Sequence, residues 1–302
     1  MSSIPSAINR GSEVLELPIN QIPTVDNKVI WVDANTGSTR NGTRNNPYAT
    51  IDIAIGKAVA GDTIIIAADH TENLSTAAIF AVDVANLTIR GLGQGSRVPT
   101  FTSTAVDGAV MITVGNTVLE NLKFVANIAS TVQAIDLSAT ADGTIIRNCV
   151  FRDTSATKEF LKHVDIATTV ANVVIEGCDF VTAAGSMTSS IFFTGTSDTC
   201  IIRDNRWHVD CSASVIDALT GIALNIRIHN NRIVNIDTGA GLVVGIKSDS
   251  SSTGAIYDNY ILSPVPNAAV LAATNDFFVA QNFCSNDINV SGVLDPAAGA
   301  IP

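Results

Sequence analysis

One seven-residue phrase returns eight times along the chain: TIRGLGQ (88–94), VLENLKF (118–124), IIRNCVF (145–151), VIEGCDF (174–180), IIRDNRW (201–207), RIHNNRI (227–233), AIYDNYI (255–261) and FVAQNFC (278–284). Counted between fifth residues, the steps are 30, 27, 29, 27, 26, 28 and 23 residues, and no helical pattern interrupts them. A unit this short cannot bury an apolar face alone, so neighbouring copies must stack as turns of a solenoid. Within the phrase the second residue is apolar throughout (Ile89, Leu119, Ile146, Ile175, Ile202, Ile228, Ile256, Val279) and the third is mostly polar or charged. That period-two alternation is the mark of a half-buried strand. The fourth residue is Gly91, Asn121, Asn148, Gly177, Asp204, Asn230, Asp258 or Gln281, nearly all types that tolerate left-handed backbone, so the chain turns a corner there. The seventh is Phe124, Phe151, Phe180, Trp207, Ile233 or Ile261 in most copies and points back inside.

A further apolar run follows each phrase: AVMITV (109–114), AIDLSA (134–139), HVDIAT (163–168), SIFFTG (190–195), VIDALT (215–220), VVGIKS (243–248) and AVLAAT (269–274). Each turn therefore holds several short strands and no helix. Stacking turns at the strand spacing of about 4.8 Å gives a solenoid roughly 40 Å long. The expected fold is all-β, a right-handed parallel β-helix with an N-terminal cap helix, in one domain. Residues 1–28 lie outside the repeat and hold Pro5, Pro18 and Pro23; they read as an extended arm or docking segment. Residues 29–85 read as cap strand, cap helix and first coils, 86–291 as the rungs, and 292–302 as a tail.

Stacking turns equivalent positions into ladders. At the fifth position Asn205, Asn231, Asn259 and Asn282 are expected to exchange amide hydrogen bonds inside the corner, with Cys149 and Cys178 continuing the row as free thiols. At the third position Arg90, Glu120, Arg147, Glu176, Arg203 and His229 alternate in charge, which suggests an exposed ion-pair ladder.

Composition narrows the function classes. A net charge of −11 without a Lys/Arg cluster in the sequence argues against nucleic-acid and anionic-membrane partners. No run of about 18 apolar residues and no basic-then-apolar leader is present, so neither a membrane span nor a signal peptide is expected. Five cysteines without C-x-x-C spacing read as buried thiols, and no cofactor motif is found.

The segment WVDANTG…NNPYATIDIAIGKAVAGDTIIIAADHTENL, with Thr50 as N-cap of the helix in 51–60, resembles the opening of pectin-lyase-like right-handed β-helix proteins. There a strand, an N-P-[FY]-x-T-I helix and a G-D-T-I strand start the coil. With the rungs, the resemblance covers roughly residues 29–290 and implies architecture rather than activity. Asp69-His70-Thr71-Glu72-Asn73 departs from the G-x-Y-x-E-like turn common in that family. Of the family's polygalacturonase motifs only Gly245-Ile246-Lys247 echoes R-I-K, without the Arg. Trp207-His208-Val209-Asp210 shares letters with the lyase segment W-x-D-H, but Trp207 holds an inward position of its rung.

The catalytic candidates come from the third position of the second runs: Met111, Asp136, Asp165, Phe192, Asp217, Gly245, Leu271. Asp136 and Asp165 are expected on neighbouring rungs about 5 Å apart, Asp217 two rungs beyond, and His163 on the same face. Carboxylates that close resist joint ionisation and suit a retaining glycosidase or a cation; no Lys or Arg is expected beside them. Three functions stay open. The first is a phage virion protein, structural or receptor-facing, of decoration, fibre or tailspike type. For it the resemblance implies a homotrimer; residues 1–28, outside the repeat, would contact other virion proteins, with host surface glycans as a further partner. The second is a polysaccharide hydrolase or lyase using Asp136, Asp165 and Asp217, with Arg206 or Arg232 of another subunit as helpers. The third is a glycan-binding protein using Tyr257 and Tyr260.

Overall fold

The structure, a computed structural model, describes residues 28–35, 40–183, 187–237, 243–263, 269–272, 277–286 and 290–294. The arm before residue 28 and the tail after residue 294 fall outside them. Three parallel sheets run the length of a right-handed β-helix, and the chain visits them in turn. The first sheet has ten strands: Val29–Val32, Thr63–Ile66, Thr88–Gly91, Val118–Glu120, Ile145–Arg147, Val174–Glu176, Ile201–Arg203, Ile226–His229, Gly254–Tyr257 and Phe277–Ala280. The last eight of these are the opening halves of the eight phrases. The second sheet runs from Thr71–Leu74 to Asn282–Asn286 and ends on an antiparallel strand, Val290–Leu294. The third, of eight strands, runs from Phe80–Val82 to Ala269–Ala272.

The corner between first and second sheets follows the phrase. Asn121, Asn148, Gly177, Asp204, Asn230, Asp258 and Gln281 all have φ between 54° and 63°. Behind that corner Asn205, Asn231, Asn259 and Asn282 are buried. Each accepts a backbone N–H from the rung before it: Cys178, Asn205, Asn231 and Asn259 donate to the next amide oxygen at 2.9–3.1 Å. Each side-chain amide also donates to a carbonyl of the first sheet, Ile175, Ile202, Ile228 or Ile256. Cys149 and Cys178 fill the same slot as buried free thiols aimed at Leu119 and Ile146 carbonyls. Leu92, the first fifth-position residue, is partly exposed and does not join the ladder. Its rung departs because a short 3-10 turn, Gly95–Arg97, delays the second strand to Thr100–Ser103.

The core is a column of stacked rings from the second sheet. Phe101, Phe124, Phe151, Phe180 and Trp207 are fully buried on successive turns, with Phe180 and Trp207 parallel at 4.9 Å. Trp207 donates its indole N–H to Ser190 Oγ at 2.7 Å, which fixes it in the interior. The N-terminal end is closed by α1, Ile51–Ile55, whose Ile51, Ala54 and Ile55 bury against the first coil. Thr50 Oγ1 accepts the Ile53 N–H at its start. The departing turn has its own logic. His70, fully buried, accepts the Ala34 N–H through Nδ1 and meets Glu72 through Nε2; Glu72 in turn accepts the Ile51 N–H. One His–Glu pair thereby ties the first strand, the cap helix and the second coil together.

Candidate functional site

The outward row of the third sheet carries the chemistry. Its register reads Ala81, Met111, Asp136, Asp165, Phe192, Asp217, Lys247, Ala272, each hydrogen-bonded neighbour to the next. Asp136 and Asp165 are direct cross-strand partners, half-buried and outward between inward Ile135, Leu137, Val164 and Ile166. The row differs from the sequence expectation at its far end. Lys247, not Gly245, follows Asp217, because Val243–Ser248 begins two residues early; a register shift between Val243 and Ile246 then sets Ala272, not Leu271, against Lys247.

Three side chains surround the pair. Lys162, at the start of strand Lys162–Ile166, places Nζ 2.6 Å from Asp165 Oδ2 and 4.3 Å from the centre of the Phe192 ring. Thr194 donates its hydroxyl to Asp165 Oδ1. Gln133 donates to Asp136 Oδ2 at 3.3 Å. The expectation that no cation stands beside the pair is therefore corrected: the ammonium comes from the same strand as Asp165, three residues earlier. Burial first, and then the charge of Asp165, push the Asp136 carboxyl above its ordinary range, against the opposing pull of Gln133 and Lys162. Asp165, by contrast, holds a cation and a hydroxyl donor. The two neighbouring carboxyls thus stand in unequal surroundings, and the raised one, Asp136, is suited to carry a proton.

The other candidates lie elsewhere. His163 does not share the face of Asp165: alternation breaks at His163-Val164, and both point inward. There His163 bonds Ser190 Oγ at 2.8 Å between Phe151 and Phe180, and burial with the charge of Arg152 pushes its imidazole down to about 3. Asp217 is in the outward row but covered, with Oδ1 taking the Leu219 N–H and Oδ2 at 3.5 Å from Ser189 Oγ. On the first sheet Glu120 bridges Arg90 and Arg147 at 2.7 and 3.0 Å, Glu176 pairs with Arg203 at 2.9 Å, and His229 stacks on Tyr257 at 4.8 Å. No group of three His, Cys, Asp or Glu side chains suited to a metal ion occurs among the described residues. No helix among them is long and apolar enough to cross a membrane.

No protein-family model and no curated protein matches the chain. Among solved structures it is similar to a GH136 lacto-N-biosidase from Eubacterium ramulus (8% identity, 85% of this chain and 68% of that one, TM-score 0.43). A rhamnogalacturonan lyase is similar at 13% identity over 84% of this chain and 87% of its own, with a TM-score of 0.43. A pectin methylesterase variant in complex with a hexasaccharide is similar at 14% identity over 82% and 68%, with a TM-score of 0.42.

Proposed function

We propose that the chain acts on a polysaccharide, as a glycoside hydrolase working on the outward face of the third sheet. The observation that carries this reading is the asymmetric Asp136/Asp165 pair. Asp136, pushed up by burial and by its neighbour, is the proton donor to the glycosidic oxygen. Asp165, held by Lys162 and Thr194, is the carboxylate that meets the anomeric carbon as the carbon–oxygen bond breaks. Water then attacks the glycosyl ester, giving up a proton to Asp136 and releasing Asp165. Retaining glycosidases hold their two carboxyls about 5–5.5 Å apart, close to the spacing of adjacent strands, so the expected stereochemistry is retention. Phe192, one rung on from Asp165, offers a partly exposed ring as a platform for a sugar face.

The setting we propose is a phage particle, with residues 1–28 as the attachment arm, a homotrimer as the assembly and a host surface glycan as substrate. The non-repeat arm and the short polar solenoid support it.

The test is to incubate the full chain with acidic and neutral polysaccharides and follow chain length and product anomer. Shortening with retained configuration, lowered at least about 10²-fold in Asp165→Asn, is expected. No shortening of any polymer, or equal shortening by Asp165→Asn, overturns the hydrolase reading.

A further inference from the structure

The outward face of the second sheet changes character along the solenoid. Its leading row reads Thr100, Lys123, Val150, Asp179, Arg206, Arg232, Tyr260, Phe283 in unbroken register. Arg152 stands beside it on the next outward row and, with Arg206, grips Asp179; Arg206 does so through Nε at 2.7 Å and Nη2 at 2.9 Å. Two guanidiniums thus hold one carboxylate, and Arg232, one rung on from Arg206, has no ion-pair partner among the described residues. Residues far apart in the sequence become a cationic patch through coiling alone.

Two features of this patch work against the isolated fold. Arg206 and Arg232 are direct cross-strand neighbours, and like charges so placed repel. Tyr260 and Phe283, on the next two rungs, are 46% and 51% exposed, among the largest apolar groups left open to water. Together they form a strip four rungs long, roughly 15 Å, with cations at one end and aromatic faces at the other.

We propose that this strip binds an acidic polysaccharide, with Arg232 taking a sugar carboxylate beside the Asp179-held Arg206 and with Tyr260 and Phe283 taking pyranose faces. A guanidinium fork matches a carboxylate in two-point geometry, and aromatic rings accept the weakly polar face of a sugar. The net charge of −11 repels any polyanion at long range, so short-range contacts must carry binding. The strip lies on a different sheet from Asp136 and Asp165 and needs no turnover.

The experiment is calorimetric titration of the full chain with polygalacturonate, hyaluronate and polysialic acid, with dextran as the neutral polymer. Sedimentation is run in parallel. Binding to at least one acidic polymer is expected, weakened by added salt and roughly tenfold or more by Arg232→Gln and by Tyr260→Ala. Asp165→Asn should bind equally well, which separates this site from the hydrolase reading. Unchanged thermal unfolding of the two exposed variants shows that they fold. Binding to none of the acidic polymers, equal binding of dextran, or indifference to both substitutions overturns the proposal. So does a self-associated chain that Arg232→Gln or Tyr260→Ala dissociates, because the strip would then be a contact between copies.

Discussion

At Asn231 a single buried side chain serves three rungs. Its Oδ1 accepts from the Asn205 backbone and side chain, and its Nδ2 donates to Ile202 O and Asn259 Oδ1. Leucine at this position keeps the volume but strands donors and acceptors on both neighbours in an environment without water. Asn231→Leu is expected to cost about 1–3 kcal/mol in denaturant unfolding; no change within error would mean that the ladder is not a stabilising network. Residues of this kind were legible in the sequence because the corner fixes their phase. The fourth residue must accept positive φ and the fifth must then point inward, so Asn-rich fourth and fifth positions announce themselves. The pairing of His70 with Glu72 was not legible, since it joins segments that no repeat relates.

Elements joined by the tight corner kept the phase of the phrase, whereas third-sheet strands are reached through links of changing length. From Ala126 to Ile135 and from Val209 to Ile216 the connection differs by two residues, and the bulge at Val243–Ile246 shifts the register again. The changing link lengths hid Lys162, which stands one residue before the run HVDIAT, and put Gly245 where Lys247 belongs, while the bulge moves Ala272 into the place of Leu271. The link following strand Val150–Asp153 has a titratable anchor. Asp153 accepts the Phe160 N–H at 3.2 Å, and burial, with the charge of Glu159 adding to it, pushes its carboxyl up to about 7 from an ordinary 3.8. The folded chain therefore holds a proton that the unfolded chain has released between about pH 4 and 7. Stability is highest below this window and falls as pH rises through it. Asp153→Asn keeps an acceptor oxygen and removes the titration. Its thermal midpoint is expected to fall less than that of the parent chain between pH 5 and pH 8; equal falls would assign the pH dependence to other groups.

Across the whole molecule, coiling converts distance in sequence into adjacency at about 4.8 Å, and each sheet face becomes a column whose chemistry can be read rung by rung. The first sheet spends its outward column on paired charges, the second gathers arginines and aromatics, and the third sets Asp136 against Asp165. The fold and the Asp136/Asp165 juxtaposition were readable from the repeat; the ammonium, hydroxyl and amide around them required the third dimension. The proposed chemistry depends on those two carboxyls being electrically coupled across neighbouring rungs. The most direct measurement is an NMR titration of the Asp136 side-chain carboxyl in the parent chain and in Asp165→Asn. Asp136 is expected to titrate above the ordinary aspartate range and to fall when the charge at Asp165 is removed, because Lys162 then acts on Asp136 unopposed. An Asp136 that titrates in the ordinary range, or that is indifferent to Asp165→Asn, would contradict it.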